Sequence, residues 1–366
     1  MRKFRAPSLI EGYQGLAPPK KIGRLVFQLI ALALVVAGIY HSLRKSAQQL
    51  ETQQQELQYK AGELRAQAED ASNENQNDLL EQAQKLENEA RNFWKPEPGA
   101  LLASGFFYFG GMLPACLFWR RCLLALDQPG HNLLAVAWAY FYGNLGKYFP
   151  GKAMVLVLRI ASLEKFGAKK AATSITIFME TLTMMSVGGA VAAICLIALG
   201  SQWWLTVLAI GMVMTTFLPA SPPVLRFLLP KLQRGVDPER IREWTSRINW
   251  TLFIRGWLML AVTWLAFGVS LLFVLRSLPS ANFGEAESYV IFLSATGACA
   301  LAVVLGFVSL IPGGAGVREV VLSTVLAPVV GPTAALCAAL WLRIVMLATE
   351  LLVVGFLALV RMVKGE

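Results

Sequence analysis

Long apolar runs constrain the fold of this chain more than any other feature. A helix needs about 20 apolar residues to cross a bilayer, and several runs reach that length. Backbone groups find no water in hydrocarbon, so the runs must be helical. The sequence therefore predicts an all-α polytopic membrane protein. The runs are 22–41, 101–119, 132–149, 152–167, 171–200, 203–219, 253–275, 288–311, 317–329 and 333–361.

The charge and the metal-binding residue types limit the partners. The net charge is +10, and basic residues of membrane proteins collect on the cytoplasmic side beside anionic lipids. We therefore expect membrane lipids as partners and no nucleic acid. Five cysteines without a C-x-x-C pair and two histidines give little material for a metal site or a His-based triad. We expect no metal and no cofactor.

Residues 43–99 interrupt the apolar pattern and are rich in Gln, Glu and Ala. Leu and Ala recur at alternating spacings of four and three residues over 43–71 and again over 79–93, which is typical of a coiled-coil seam. The polar segment 72–78 separates the two stretches. We expect an extramembrane helical hairpin. The alternative is that the seam docks an envelope protein or a second copy of the chain.

The distribution of basic residues predicts the topology. Both ends of the chain are basic, so both termini should be cytoplasmic. If every long run crossed the membrane, giving eight spans, the basic loops at 150–170 and 220–250 would lie outside. The acidic loop at 276–288 would lie inside, against the positive-inside rule. Ordinary spans ended by Pro-Gly pairs remain the alternative, at the cost of these misplaced charges.

Two re-entrant hairpins would place the basic loops inside and the acidic loop outside, as the positive-inside rule requires. The first, 132–167, enters from the cytoplasm and turns at Pro150–Gly151. The second, 288–329, enters from outside and turns within 309–319. Two halves of opposite orientation, 22–200 and 203–361, then form an inverted-repeat helical bundle. Gly/Pro-broken segments in matching positions of such halves point to a transport site.

The predicted organisation has five parts. They are a cytoplasmic N-terminus with the first span at 1–42, an extracytoplasmic helical hairpin at 43–99, the rest of the first half at 100–219, a cytoplasmic amphipathic connector at 220–252, and the second half at 253–366.

A cation stands where a new helix begins after each turn, Lys152 in one case and Arg318 in the other. Unpaired N–H groups and the positive dipole end make such starts suitable for anions. Arg159 lies two helical turns beyond Lys152, on the same face. Two such starts near the midplane would suit a phosphate. The turn residues are Pro150, Gly151, Pro312, Gly313, Gly314 and Gly316.

Charges within spans are rare and usually functional. Glu180 lies inside 171–200, and Arg343 and Glu350 lie two turns apart inside 333–361. They form either a polar core for a headgroup or structural ion pairs, such as Glu180 with a hairpin cation; for Glu350 we favour the structural role. We expect no catalytic residue. The candidate substrate-binding residues are Lys152, Arg159, Arg318, Glu319, Glu180, Arg343, Asn144 and Lys147.

The segments GNLGKYFPGKAMVLVLR at 143–159 and SLIPGGAGVRE at 309–319 resemble motifs of a lipid flippase-like membrane family. That family includes the transmembrane region of lysylphosphatidylglycerol synthases. The resemblance covers roughly 101–361. It implies movement of a lipid with an anionic or modified polar headgroup between leaflets, in the bacterial cytoplasmic (inner) membrane.

The chain departs from the family pattern at two places. The family commonly has Gly and an acidic residue after Pro-Gly-Lys, where Met154, Val155 and Leu156 stand here. It commonly has Glu-Arg in the next span, where Thr181 follows Glu180. Substrate handling is therefore expected to differ from that of close relatives. Since no soluble aminoacyltransferase domain follows, lysyl-lipid synthesis is not implied.

Three functions compete. The first is a lipid transporter or flippase; no P-loop motif is present, so ion gradients, the membrane potential or the lipid gradient would drive it. The second is a membrane-embedded lipid-modifying enzyme with Glu180 or Glu319 as acid or base. The third is an envelope scaffold acting through 43–99.

Overall fold

A computed structural model describes residues 51–364, apart from 53, 70–72, 93, 149–152, 201–202, 233–237, 285, 310–313 and 315. This part of the chain is helical and has no strand. The helices are α1 (54–69), α2 (Asn73–Asn92), α3 (Pro98–Ala125), α4 (Leu133–Asn144), α5 (Ala153–Glu164), α6 (Lys170–Ala198), α7 (Trp203–Ala220), α8 (Pro222–Leu232), α9 (Pro238–Arg247), α10 (Trp250–Ser277), α11 (Ser288–Val308), α12 (Val317–Val330) and α13 (Pro332–Lys364). The expected first span, 22–41, lies outside the described residues.

Six of the described helices are long and apolar enough to cross a membrane, which confirms the all-α polytopic class. They are Pro98–Ala125, Lys170–Ala198, Trp203–Phe227, Trp250–Ser277, Ser288–Val308 and Pro332–Lys364. By contrast, α4, α5 and α12 have 12, 12 and 14 residues. At 1.5 Å per residue they reach only about 18–21 Å, short of the ~30 Å hydrocarbon core.

The two arms of the second expected hairpin are thus unequal in length. Its first arm, α11, has 21 residues, or about 31 Å, and could cross by itself. Its second arm, α12, could not. The first expected hairpin consists of two short arms, α4 and α5, that pack against each other.

An antiparallel pair, α3 against α10, forms the centre of the membrane region. Ser104 Oγ lies 2.9 Å from Ser270 Oγ near one end of the pair. At the other end Gly256 faces the Phe118 ring so closely that an added Cβ would stand 2.3 Å from it. Small residues here allow the two backbones to approach. The fully buried Trp119 and Trp264 lie on these two helices.

The apolar helix predicted at 203–219 extends beyond residue 219. Ser221 accepts from the Leu225 amide and donates its own to Leu218, so α8 follows α7 with little interruption. Pro222 begins α8, where a missing N–H costs no hydrogen bond. The apolar span therefore reaches Phe227, within the segment expected to be the connector.

The connector helix α9 packs on protein. Trp244 is 1% exposed and donates from Nε1 to Asp127 Oδ2 at 2.9 Å. Arg247 Nη1 meets Asp127 Oδ1 at 2.5 Å, and Asp127 belongs to the loop between α3 and α4. The expectation of an amphipathic connector thus needs a refinement, because the apolar side of α9 covers a loop of the first half.

The helices α1 and α2 meet through small residues. Ala61, Ala68, Ala83 and Ala90, all seam positions, are at most 1% exposed. Arg65 Nη2 joins Glu87 Oε2 across the two helices at 3.0 Å.

The segment after α2 is tied to the membrane helices. The Trp94 carbonyl accepts from Trp341 Nε1 at 2.8 Å, and the Glu97 amide donates to the Ser277 carbonyl at 2.8 Å. These contacts place the base of the α1–α2 pair at the C-terminal end of α10.

Candidate functional site

Arg159 of α5 joins the α4–α5 pair to α6. Its Nη1 donates to Glu180 Oε2 at 2.8 Å, and its Nη2 donates to Asn144 Oδ1 at 2.9 Å. Arg159 and Glu180 are 2% and 3% exposed. The hydroxyl of Thr181 adds a bond of 3.3 Å to Glu180. Of the two roles considered for Glu180, pairing with a hairpin cation is the contact that the structure contains.

Aromatic rings surround the Arg159 guanidinium. Its carbon lies 4.3 Å from the centre of the Tyr140 ring and 4.9 Å from that of Trp119, within cation–π range. The aliphatic part of the side chain crosses Gly143, where an added Cβ would lie 2.3 Å from Arg159 Cγ. A charge enclosed in this way has an internal partner, so Arg159 positions the helices.

Lys147 reaches a different helix. It lies in the 3₁₀ turn Leu145–Tyr148 at the end of α4, and its Nζ pairs with Glu350 Oε1 on α13. Tyr108 of α3 donates to the same carboxylate oxygen at 2.5 Å. The Glu350 side chain is fully buried, and its Oε2 has no hydrogen-bond partner among the described residues.

The start of α12 is built around Glu319. Glu319 Oε2 accepts the Gly316 amide at 2.7 Å, which caps the helix. Its other oxygen, Oε1, accepts from Arg343 Nη1 of α13 at 2.8 Å. Gly314 and Gly316 have φ angles of 66° and 84°, a conformation that favours glycine. Glycine at 314 and 316 is therefore explained by the local backbone conformation.

Arg318 enters a small cavity between α11, α12 and α13. The cavity has a volume of about 20 Å³, and Arg318, Glu319 and Arg343 line it; this is room for about one water molecule. Arg318 Nε is buried, and within the described part of the chain it meets no hydrogen-bond acceptor. The side chain crosses Gly306 and Gly314, where an added Cβ would lie 2.9 Å from Nε.

These groups form one electrostatic neighbourhood, which we call the α13 cluster: Lys147, Arg318, Glu319, Arg343 and Glu350. Lys147 and Glu319 pair with Glu350 and Arg343 of α13, and Arg318 lines the same small cavity as Arg343. The α13 cluster contains three cations and two carboxylates, a formal net charge of +1.

Helix α13 connects both broken regions of the chain. Glu350 binds the end of α4, and Arg343 binds the start of α12. The two residues lie two turns apart on one face of α13, as the sequence analysis expected.

The predicted site residues separate into two groups. In the first group, Arg159 binds both Glu180 and Asn144. Lys147, Arg318, Glu319 and Arg343 lie in the α13 cluster. Lys152, Pro150, Gly151, Pro312 and Gly313 lie outside the described residues.

Sequence reasoning assigned no role to Tyr108, Tyr140 and Trp119. It favoured a structural role for Glu350, which forms an ion pair with Lys147. Their helices are apolar nearly all round, so no periodic pattern marks the inward face. The charge of Glu350 inside a span was the one available signal.

The comparison with known proteins supports the resemblance. The model of the family described as "Lysylphosphatidylglycerol synthase TM region" matches residues 86–353. No curated protein and no solved structure shows a significant match. The match extends from α2 into α13 and includes the whole α13 cluster. The chain therefore belongs to the lysylphosphatidylglycerol synthase transmembrane-region family, a family of membrane proteins related to lipid handling.

Proposed function

We propose that this protein is a lipid transporter of the flippase type, which moves a lipid with an anionic or modified polar headgroup between leaflets. The observation that carries the proposal is the net charge of +1 in the α13 cluster. Arg318 is half-buried, its buried Nε meets no acceptor among the described residues, and intramembrane ionisable residues usually serve function. A headgroup phosphate supplies the missing negative charge.

The ion pairs of α13 suggest how a headgroup passes. A phosphate that reaches Arg318 competes with Glu319 for Arg343 and with Glu350 for Lys147. Each exchange replaces a carboxylate–cation contact by a phosphate–cation contact and leaves the carboxylate without its cation, so the contacts of the headgroup must offset that cost. Arg343 lies about 16 Å along the helix axis from Pro332, which is close to the depth of a bilayer midplane.

The pattern of helix contacts supports two inverted repeats with re-entrant hairpins. Helix α6 contacts α10 and α11, and its expected counterpart α13 contacts α3 and α4. The lengths of α4, α5 and α12, each too short to cross, favour broken segments over full spans. We propose on this basis that both termini are cytoplasmic and that the protein lies in the bacterial cytoplasmic membrane.

A lipid-modifying enzyme has less support. Glu180 and Glu319, the residues considered as acid or base, each bind an arginine, so each already has an internal partner. A scaffold role for 43–99 finds its support in the exposed surface of α1 and α2. The family match beginning at residue 86 does not include most of that segment.

The test is lipid movement in proteoliposomes. The full chain is reconstituted with fluorescent phosphatidylglycerol or fluorescent phosphatidylcholine, and an impermeant reductant reports outward-facing probe. We expect the protein to accelerate phosphatidylglycerol movement at least tenfold. Arg318→Gln should abolish the acceleration, whereas Arg242→Gln, on the exposed face of α9, should not. No acceleration of any lipid, or equal behaviour of the two variants, would contradict the proposal.

A further inference from the structure

A second cavity lies where the α1–α2 pair meets the membrane helices. Its volume is about 530 Å³, within the range of small-molecule sites. Three structural units enclose it: the second half of α2, the loop after α10, and the turn between α12 and α13. The polar residues that line it are Lys85, Asn88, Asn92, Ser280, Asn282 and Thr333.

The lining has a distinct chemistry. Its side chains are amides, hydroxyls and one lysine, and no described lining residue is a carboxylate. The surrounding segment 43–99 nevertheless contains eleven acidic residues against seven basic ones. Lys85 pairs with Glu81 at 3.2 Å, but both side chains are mostly exposed, so water screens this pair and leaves the cation available.

Amide and hydroxyl side chains both donate and accept hydrogen bonds, which matches a ligand that carries many hydroxyl groups. A lysine adds a site for one negative charge and repels a cationic group. We propose that this cavity binds a hydroxyl-rich, non-cationic lipid headgroup, that is, a sugar or polyol joined to a phosphate. The inference rests on the proposed function and assigns a headgroup class to it.

The position of the cavity is suitable for a binding site at one end of the proposed transport pathway. It touches the first turn of α13, at Pro332–Ala334. Arg343 and then Glu350 follow on the same helix, about 16 and 27 Å farther along its axis. A headgroup leaving the α13 cluster in this direction reaches the cavity next.

The test measures headgroup binding separately from transport. Saturation-transfer NMR on the purified full chain compares glycerophosphoinositol with glycerophosphocholine, which share a backbone and differ in the headgroup. We expect binding of glycerophosphoinositol alone. Asn88→Leu/Asn282→Leu should weaken it at least tenfold and Lys85→Glu at least fivefold. The matched control Lys60→Glu, on the exposed surface of α1, should leave it unchanged.

Two results would overturn the inference: equal binding of both probes, or glycerophosphoinositol binding that persists in both the asparagine variant and Lys85→Glu. If the vesicle assay still shows lipid movement, the proposed function survives that failure. Headgroup binding that depends on the cavity, found together with an absence of lipid movement, would support the cavity and contradict the transporter proposal.

Discussion

At the residue scale, the protein places charges inside an apolar bundle and pairs nearly all of them. Arg159 and Glu180 satisfy each other, and aromatic rings enclose the pair. Lys147 and Glu350 are likewise paired, but they join segments that the transport proposal requires to move. Pairs of the first kind fix the helices, whereas pairs of the second kind can exchange partners.

Removing one member of the Lys147–Glu350 pair should destabilise the protein more than removing both. Lys147→Met leaves the Glu350 carboxylate buried without a cation, which costs about 3–5 kcal/mol. The double variant Lys147→Met/Glu350→Gln should recover more than half of that loss. Thermal unfolding of the purified protein measures both.

The exposed pair Glu164–Lys170 provides the control, since Lys170→Met should cost less than about 1 kcal/mol. Strictly additive effects of the Lys147 and Glu350 substitutions would show that the two side chains do not interact.

Glycine at 143 should be required by the Arg159 side chain. In Gly143→Ala the new Cβ would stand 2.3 Å from Arg159 Cγ, so the arginine must move and overpacking costs about 1–3 kcal/mol. Gly110→Ala, in a helix with nothing within 4 Å of the new atom, should be neutral or stabilising by up to about 1 kcal/mol. Chemical denaturation compares them, and equal stability of the two variants would argue against this packing.

At the element scale, three short helices and the long helix α13 characterise the described part of the chain. The Pro and Gly residues near 150 and 312 lie between α4 and α5 and between α11 and α12, and the re-entry of these segments into the membrane stays a prediction. Four alanines of the predicted seam are buried in α1 and α2. The sequence of a uniformly apolar helix does not show how the helix is rotated about its own axis. For this reason the contact between Tyr108 and Glu350 could not be predicted.

The helix-face argument also has a limit for Arg159. It placed Arg159 on the same face as Lys152 but did not decide which cation pairs with Glu180. The structure pairs Glu180 with Arg159, and substrate binding by Arg159 stays a prediction.

The α1–α2 pair should form within one chain. With Arg65→Cys and Glu87→Cys together, a short bis-maleimide should link the two helices and change the mobility of the monomer on a denaturing gel. The native cysteines 116, 122, 195, 299 and 337 are buried and should react little; the unsubstituted protein controls for them. A linked dimer as the main product would instead support the alternative that the seam docks a second copy.

At the scale of the whole molecule, charge decides orientation. The proposed re-entrant topology would place the loop after α5 in the cytoplasm, whereas eight full crossings would place it outside. Lys165→Cys tests this directly, because the position is exposed. In intact cells, an impermeant maleimide should label Asn282→Cys, expected outside, and should not label Lys165→Cys until the cells are opened. Labelling of both in intact cells would contradict the inverted-repeat arrangement.

The central claim is that the net charge of the α13 cluster selects an anionic lipid. Native mass spectrometry of the gently purified protein tests it most directly, with identification of the retained lipid in three forms. Wild type should retain one anionic lipid class. Arg318→Gln makes the cluster neutral and should retain none of that lipid. Glu350→Gln makes the cluster more positive and should retain at least as much as wild type. The same unselective lipid mixture in all three forms would contradict the account.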